Sequence, residues 1–267
     1  MLGSSLSKRE SVFESPLTQR FILLGASNLT LAFPRILGGL RAGEPPFELL
    51  TAEGFGRSYG NWSRVLGRAL PGISRCGIWE TIQDLPAEER CRAVVTDVGN
   101  DLLYGIDPPQ ILVWVEDCLR KLAQAKAELT LVTLPLESLN RVGSFRYRCF
   151  QTALCAGKNR SWEEMKACAR ELDQGLRALA EQFAARLIVP EIRWFGFDPI
   201  HILPRFRNEA WQRYLFSESS RPAVQNVSLS ENVAAWRLRP SQRRFWGRLQ
   251  VTRQPILKSS QGIVWMF

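Results

Sequence analysis

RFILLGASNLT, residues 20–30, is an apolar run that ends at a glycine, a serine and an asparagine before helix-compatible sequence resumes. A short apolar run bounded by turn residues reads as a buried strand. The same pattern recurs in FELLTA (47–52), AVVTDVG (93–99), ELTLVTLP (128–135) and RLIVP (186–190), with SRCGIW (74–79) as a weaker strand candidate. Between these runs the apolar residues take helical spacing. Helices are predicted from about Leu31 to Leu40, from about Asn61 to Leu70, after Pro108 and Pro109, and from Trp162 to Ala185. NEAWQRYLF reads as a closing helix. Apolar strands alternating with helices imply an α/β protein whose parallel sheet is covered on both faces. In such sheets ligands and chemistry collect at the carboxyl ends of the strands.

The bulk numbers agree with this class. The chain of 267 residues is long enough to bury roughly 70–75% of its unfolded surface. At 45% hydrophobic and 23% charged it has the composition of a globular protein. It contains no apolar run long enough for a membrane span, and its first residues lack the apolar core of a signal peptide. A cytoplasmic location is the expectation. Cys76, Cys91, Cys118, Cys149, Cys155 and Cys168 form no C-x-x-C, and with one histidine there is no zinc-like cluster. Free thiols in a reducing compartment are expected. The net charge of +9 is concentrated late in the chain: residues 202–267 hold 11 Lys+Arg against 3 Asp+Glu.

Each strand end carries a residue able to do chemistry. Ser27 follows the first strand, where a helix N-terminus favours developing negative charge; a simple helix cap by Ser27, Asn28 or Thr30 is the competing reading. TAEGFGRSYGNW after the second strand holds Gly54, Gly56 and Gly60 but neither a dinucleotide fingerprint nor a phosphate loop. Its glycines suit either a backbone anion site or a structural turn. After AVVTDV comes GND, where Asn100 can donate to an oxyanion or merely shape a turn. After the last strand, FGFDPIHILP (195–204) contains His201, the only histidine, three residues beyond Asp198. An aspartate so placed can accept the Nδ1–H and set the tautomer. Together these residues meet the requirements for acyl transfer by serine.

G-A-S-N around Ser27, the glycine loop, G-N-D and D-x-x-H, in this order, resemble the four blocks of the SGNH (GDSL-type) hydrolases. The resemblance covers roughly residues 20–217. It implies a flavodoxin-like three-layer α/β/α sandwich with a mostly parallel five-stranded sheet, and hydrolysis of esters or thioesters. It also implies Ser27 as nucleophile, His201 as base and Asp198 as its carboxylate, with an oxyanion hole made by the Ser27 N–H, Gly56 and Asn100. Gly54 is the alternative to Gly56. The chain departs from the pattern at Ala26, where aspartate is usual, and at Ile202, where proline is frequent.

The expected organisation is a flexible segment over residues 1–19, the hydrolase-like domain over 20–217, and a basic extension over 218–267. In that extension GRLQVTR and GIVWMF read as a β-hairpin arm. An uncovered GIVWMF strand would be an open edge, packed on the same chain or offered to a homo-oligomer. The connection Glu137–Ser161, with Arg141, Arg146, Arg148, Lys158 and Arg160, is placed as a lid or as a loop binding polar acyl donors. The expected partner is a small ester, with no cofactor, metal, membrane span or nucleic acid called for. The rival function is a catalytically silent binding or scaffold protein that uses the basic arm.

Overall fold

The strands in chain order are β1 (Gln19–Leu24), β2 (Phe47–Ala52), β3 (Ser63–Val65), β4 (Arg68–Leu70), β5 (Cys91–Val95), β6 (Glu128–Val132), β7 (Arg186–Ile188), β8 (Gln242–Phe245), β9 (Arg248–Val251), β10 (Leu257–Lys258) and β11 (Gly262–Met266). They belong to a computed structural model that describes residues 19–43, 46–86, 90–141, 160–216 and 224–267. The chain before residue 19, Cys149, Cys155, and most of the Glu137–Ser161 connection with Arg146, Arg148 and Lys158 lie outside the described residues.

Seven strands form the main sheet in the order β10-β11-β2-β1-β5-β6-β7. All neighbours are parallel except β10, which runs antiparallel to β11. Alternate residues of each strand face opposite sides, and both sides are apolar. Ile22, Leu24, Leu50, Val95 and Leu131 enter one core, beneath the helices Ile78–Asp84, Pro108–Gln124 and Trp162–Gln182. Phe21, Leu23, Leu49, Val94 and Val264 enter the other, with helix α1 (Ser27–Ala42) and the helix Arg207–Leu215. These are the three layers that the alternation of apolar strands and helices implies. Among the described residues no helix is long and apolar enough to cross a membrane. Among the described residues Cys76, Cys118 and Cys168 are free thiols.

Three local expectations are corrected. The sequence predicts five strands in the sheet, and there are seven, because GIVWM does not stand off as an arm. It pairs in parallel with β2, from Gly262 opposite Phe47 to Met266 opposite Thr51. A side chain at 262 would meet the Phe47 ring at 2.6 Å, so glycine is what lets the strand dock. β11 is flanked by β2 and β10, so the open edge behind the expectation of a homo-oligomer is occupied by the same chain. GRLQVTR pairs instead within a second sheet of order β3-β4-β8-β9.

The second correction is at Asn61–Leu70, which is a hairpin rather than a helix. Leu66 and Gly67 both have positive φ, of 48° and 76°, the signature of a two-residue hairpin turn. The third is SRCGIW, which is divided between a 3₁₀ turn (Ile73–Arg75) and the start of the helix Ile78–Asp84.

Val264 is fully buried in β11, whereas Val251 in β9 is 76% exposed. Val264→Ala is expected to cost about 2 kcal/mol, and Val251→Ala less than about 0.5 kcal/mol. Denaturant melts of the two variants check this; equal losses would contradict a core position for β11.

Candidate active site

The strand ends β1, β2, β5 and β6 open on one edge of the sheet, and the sequence folds there around a single carboxylate. Asp97 follows β5 in a left-handed conformation, with φ of 60°. One of its oxygens accepts the backbone N–H groups of Ala26 (2.9 Å), Asn28 (3.0 Å) and Leu29 (3.3 Å). It therefore satisfies the first turn of α1 from outside the helix, where unpaired N–H groups and the helix dipole both favour an anion. Ser27 lies inside this capped turn, and its own N–H has no hydrogen bond among those of the described residues. The helix-cap reading of Ser27 is thus replaced: Asp97 is the cap.

Asn28 joins this turn to the loop after β7. Its Nδ2 donates to Asp97 Oδ1 (2.9 Å) and to the Ile200 carbonyl (2.8 Å), while its Oδ1 accepts the Ile202 N–H (2.9 Å). Acceptors on one side and a donor on the other leave one orientation for the amide. A proline at 202 could not donate that N–H. Isoleucine at this position therefore secures the turn that holds His201.

In that turn, Asp198 Oδ1 accepts the N–H groups of Ile200 (3.0 Å) and His201 (3.2 Å). Its Oδ2 lies 2.5 Å from His201 Nδ1, and His201 Nε2 lies 2.9 Å from Ser27 Oγ. With Nδ1–H donating to Asp198, Nε2 is the lone-pair nitrogen and accepts from the serine hydroxyl. Burial works against charge on the imidazole, but the hydrogen bond and negative charge of Asp198 outweigh it. His201 is held above the ordinary histidine value. Burial pushes the Asp198 carboxyl up. The hydrogen bond and charge of His201, together with the N–H groups of Ile200 and His201, outweigh it and hold Asp198 below the ordinary carboxylate value.

Asn100 shares a cavity with Ser27, and its Nδ2 is buried with no partner among the described residues. Asp101 beside it accepts the Ser58 hydroxyl and the Tyr59 N–H (2.8 Å), tying the glycine loop to the GND turn. Burial pushes the Asp101 carboxyl up to about 6, even though these two bonds favour its charged form. Gly60 in that loop has a purely spatial reason, since a Cβ there would lie 2.0 Å from the Trp114 ring. Gly56 accepts the Tyr104 hydroxyl on its carbonyl, and neither Gly56 nor Gly54 lines the cavity.

The cavity holds about 130 Å³. Its walls are mostly apolar and include Leu103, Leu134, Leu136, Trp162 and Met165. Arg160, expected to meet an acyl donor, is spent elsewhere. It donates to the carbonyls of Leu102 (3.2 Å), Gly105 (3.3 Å) and Ile106 (3.1 Å) and pairs with Asp107. Asp97 and Glu53 escape a sequence reading, and Asn28, a possible helix cap by sequence, instead bridges to the His201 turn. Glu53 at the end of β2 has a buried oxygen without a partner among the described residues, and burial pushes its carboxyl up to about 8.

No family model matches the chain, and no curated protein matches it by sequence. Solved structures do. The chain is similar to the psychrotrophic esterase EstA from Pseudoalteromonas sp., at 14% identity and TM-score 0.45, over 72% of this chain and 94% of that one. It is similar to an aryl esterase of M. smegmatis at 14% identity and TM-score 0.48, over 73% and 100%. It is also similar to AlinE4, an SGNH-hydrolase family esterase, at 19% identity and TM-score 0.39, over 73% and 92%. Likenesses this distant do not decide the chemistry, which rests on the chain's own geometry.

Because His201 is the only histidine, its titration gives one imidazole resonance by NMR. Its midpoint is expected above the ordinary value of about 6.5, and Asp198→Asn should lower it by removing the contacts that raise it. A raised histidine stabilises the fold fully below about pH 6.5, and this contribution is lost as pH rises through the folded-state value. An unchanged midpoint in the Asp198→Asn protein would contradict the Asp198–His201 contact.

Proposed function

We propose that this chain is a serine hydrolase of the SGNH type, cleaving carboxylic esters or thioesters through an acyl-enzyme on Ser27. The observation that carries this reading is the continuous chain from Ser27 Oγ through His201 to Asp198, at 2.9 and 2.5 Å. These are the separations needed for a base to take the nucleophile's proton.

In the first half-reaction His201 Nε2 takes the hydroxyl proton as Ser27 Oγ bonds to the acyl carbon. The carbonyl electrons move onto its oxygen. Ser27 N–H and Asn100 Nδ2, both without partners among the described residues, are the donors that would receive this oxyanion. Gly56, expected from the sequence as the third donor, does not line the cavity. Collapse breaks the bond to the alcohol or thiol, which leaves with the proton from His201. In the second half-reaction His201 draws a proton from water, hydroxide adds to the acyl carbon, and Ser27 leaves reprotonated. Asp198 stabilises the imidazolium in both halves without becoming protonated itself. Side chains and backbone supply every step, so the mechanism calls for no cofactor. The apolar walls of the cavity suit the hydrocarbon part of an acyl group better than a charged one.

Ser27→Ala is expected to lower kcat for p-nitrophenyl acetate by roughly 10⁴-fold or more and to abolish labelling by a fluorophosphonate probe. Wild-type hydrolysis by that variant would defeat the proposal, and absence of labelling in the parent protein would favour the silent scaffold. Asn100→Ala should lower kcat by roughly 10²–10³ with little change in KM. Ile202→Pro, which removes the N–H held by Asn28, should lower kcat by up to roughly tenfold. A fully active Ile202→Pro enzyme would show that the Asn28 contact does not aim His201.

A further inference from the structure

The small sheet takes no part in the arrangement around Ser27. Its strands β3, β4, β8 and β9 contain Arg64, Arg68, Arg243, Arg244 and Arg248 and not one acidic residue. Its two hairpins turn through Leu66-Gly67 and Trp246-Gly247, and both non-glycine residues have φ of 48°. Such turns ordinarily take asparagine, aspartate or glycine, because bulky side chains are disfavoured at positive φ. Here they carry leucine and tryptophan, which are 94% and 76% exposed. The two tips lie side by side, the Trp246 N–H donating to the Gly67 carbonyl at 2.9 Å. Neither side chain is explained by its turn or by the core.

The register extends the tips into a surface. Arg64, Ala69, Arg244 and Leu249 stand in one cross-strand row, and Val251 lies two residues beyond Leu249 on the same face. Leu249 is 54% and Val251 76% exposed. The Arg244 guanidinium stacks 4.6 Å from the centre of the Trp62 ring, which keeps its charge at the surface beside the apolar residues.

We propose that this face docks on an anionic lipid bilayer, with Leu66 and Trp246 entering the interface and Arg64 and Arg244 meeting lipid phosphates. Tryptophan at a polar–apolar boundary and arginine at anionic headgroups are the side chains that such a surface takes. The apolar groups stand on convex tips, which a deformable bilayer accommodates without a matching pocket. A second copy of the chain would set arginines against arginines. A nucleic acid strand could stack on Trp246 but would leave Leu66, Leu249 and Val251 without a partner. The proposal holds independently of the role given to Ser27.

Co-sedimentation with vesicles of phosphatidylcholine and phosphatidylglycerol in equal parts tests it. The whole chain is expected to bind these vesicles, to bind phosphatidylcholine vesicles far more weakly, and to be released by salt. The Leu66→Ser/Trp246→Ser variant should lose binding while keeping the parent melting temperature, as expected for exposed residues. Arg64→Gln and Arg244→Gln, both in the row that carries Leu249, should each weaken binding roughly fivefold. The proposal is overturned if the parent protein ignores anionic vesicles, or if the tip variant binds them as well as the parent. It is equally overturned if a single-stranded oligonucleotide, or self-association that the tip variant abolishes, accounts for the surface instead.

Discussion

The carboxylate of Asp97 is the contact on which the edge of the sheet depends. It draws three backbone N–H groups of α1 onto one oxygen and the Asn28 amide onto the other. Hydrogen bonds to a charged acceptor contribute about 1.5–3 kcal/mol each. Together they outweigh the roughly 1–3 kcal/mol cost of a non-glycine residue held at positive φ. The strain at Asp97 therefore has a local cause: only this bend aims the carboxylate across from β5 at the helix that starts after β1. Ser27 is placed by its neighbours rather than by its own side chain, which leaves the hydroxyl free to face His201.

From that contact the rest of the edge is assembled by bridges between successive strand ends. Asn28 reaches from the serine turn to the histidine turn, and Asp101 reaches from the GND turn to the glycine loop. Tyr59 donates its hydroxyl to the carbonyls at Leu24 and Thr96, linking the ends of β1 and β5 from below. Each bridge is buried or half-buried, where an unmet polar group is costly. The loops consequently hold one another in place, while Asn100 Nδ2, Glu53 Oε2 and Thr133 Oγ1 stay buried without partners among the described residues.

The parts legible in the sequence were those governed by local pattern. RFILL, FELLT, AVV and ELTLV are continuous apolar runs because both faces of a parallel strand are covered, and they are strands. Ser27, Asp198 and His201 stand out in the sequence through their order along the strand ends, and the structure brings their side chains together. Partners distant in sequence were not legible. Nothing in GIVWM says that it pairs with β2 rather than with GRLQV nearby. Val65, Leu66, Ala69 and Leu70 have helical spacing, yet they form the hairpin β3–β4, whose second strand pairs with β8, distant in sequence. Asp97 was hidden within a strand-like run, since its function lies in a helix some seventy positions earlier.

The position of β11 bears on how the molecule is made. Its neighbour β2 is synthesised early, yet the edge of β2 facing β11 stays open until residues 262–266 have left the ribosome. The buried guanidinium of Arg57, in the glycine loop, donates to the carbonyls of Glu53, Pro71 and Phe267, so one of its partners also arrives late. Pairings this distant in sequence form slowly, because the loop must close before the contact is gained. A nascent chain holding Ser27, Asn100 and His201 would still lack the strand that completes the sheet beside them. Until the end of β11 is made, the bare flank of β2 is the surface a chaperone would meet.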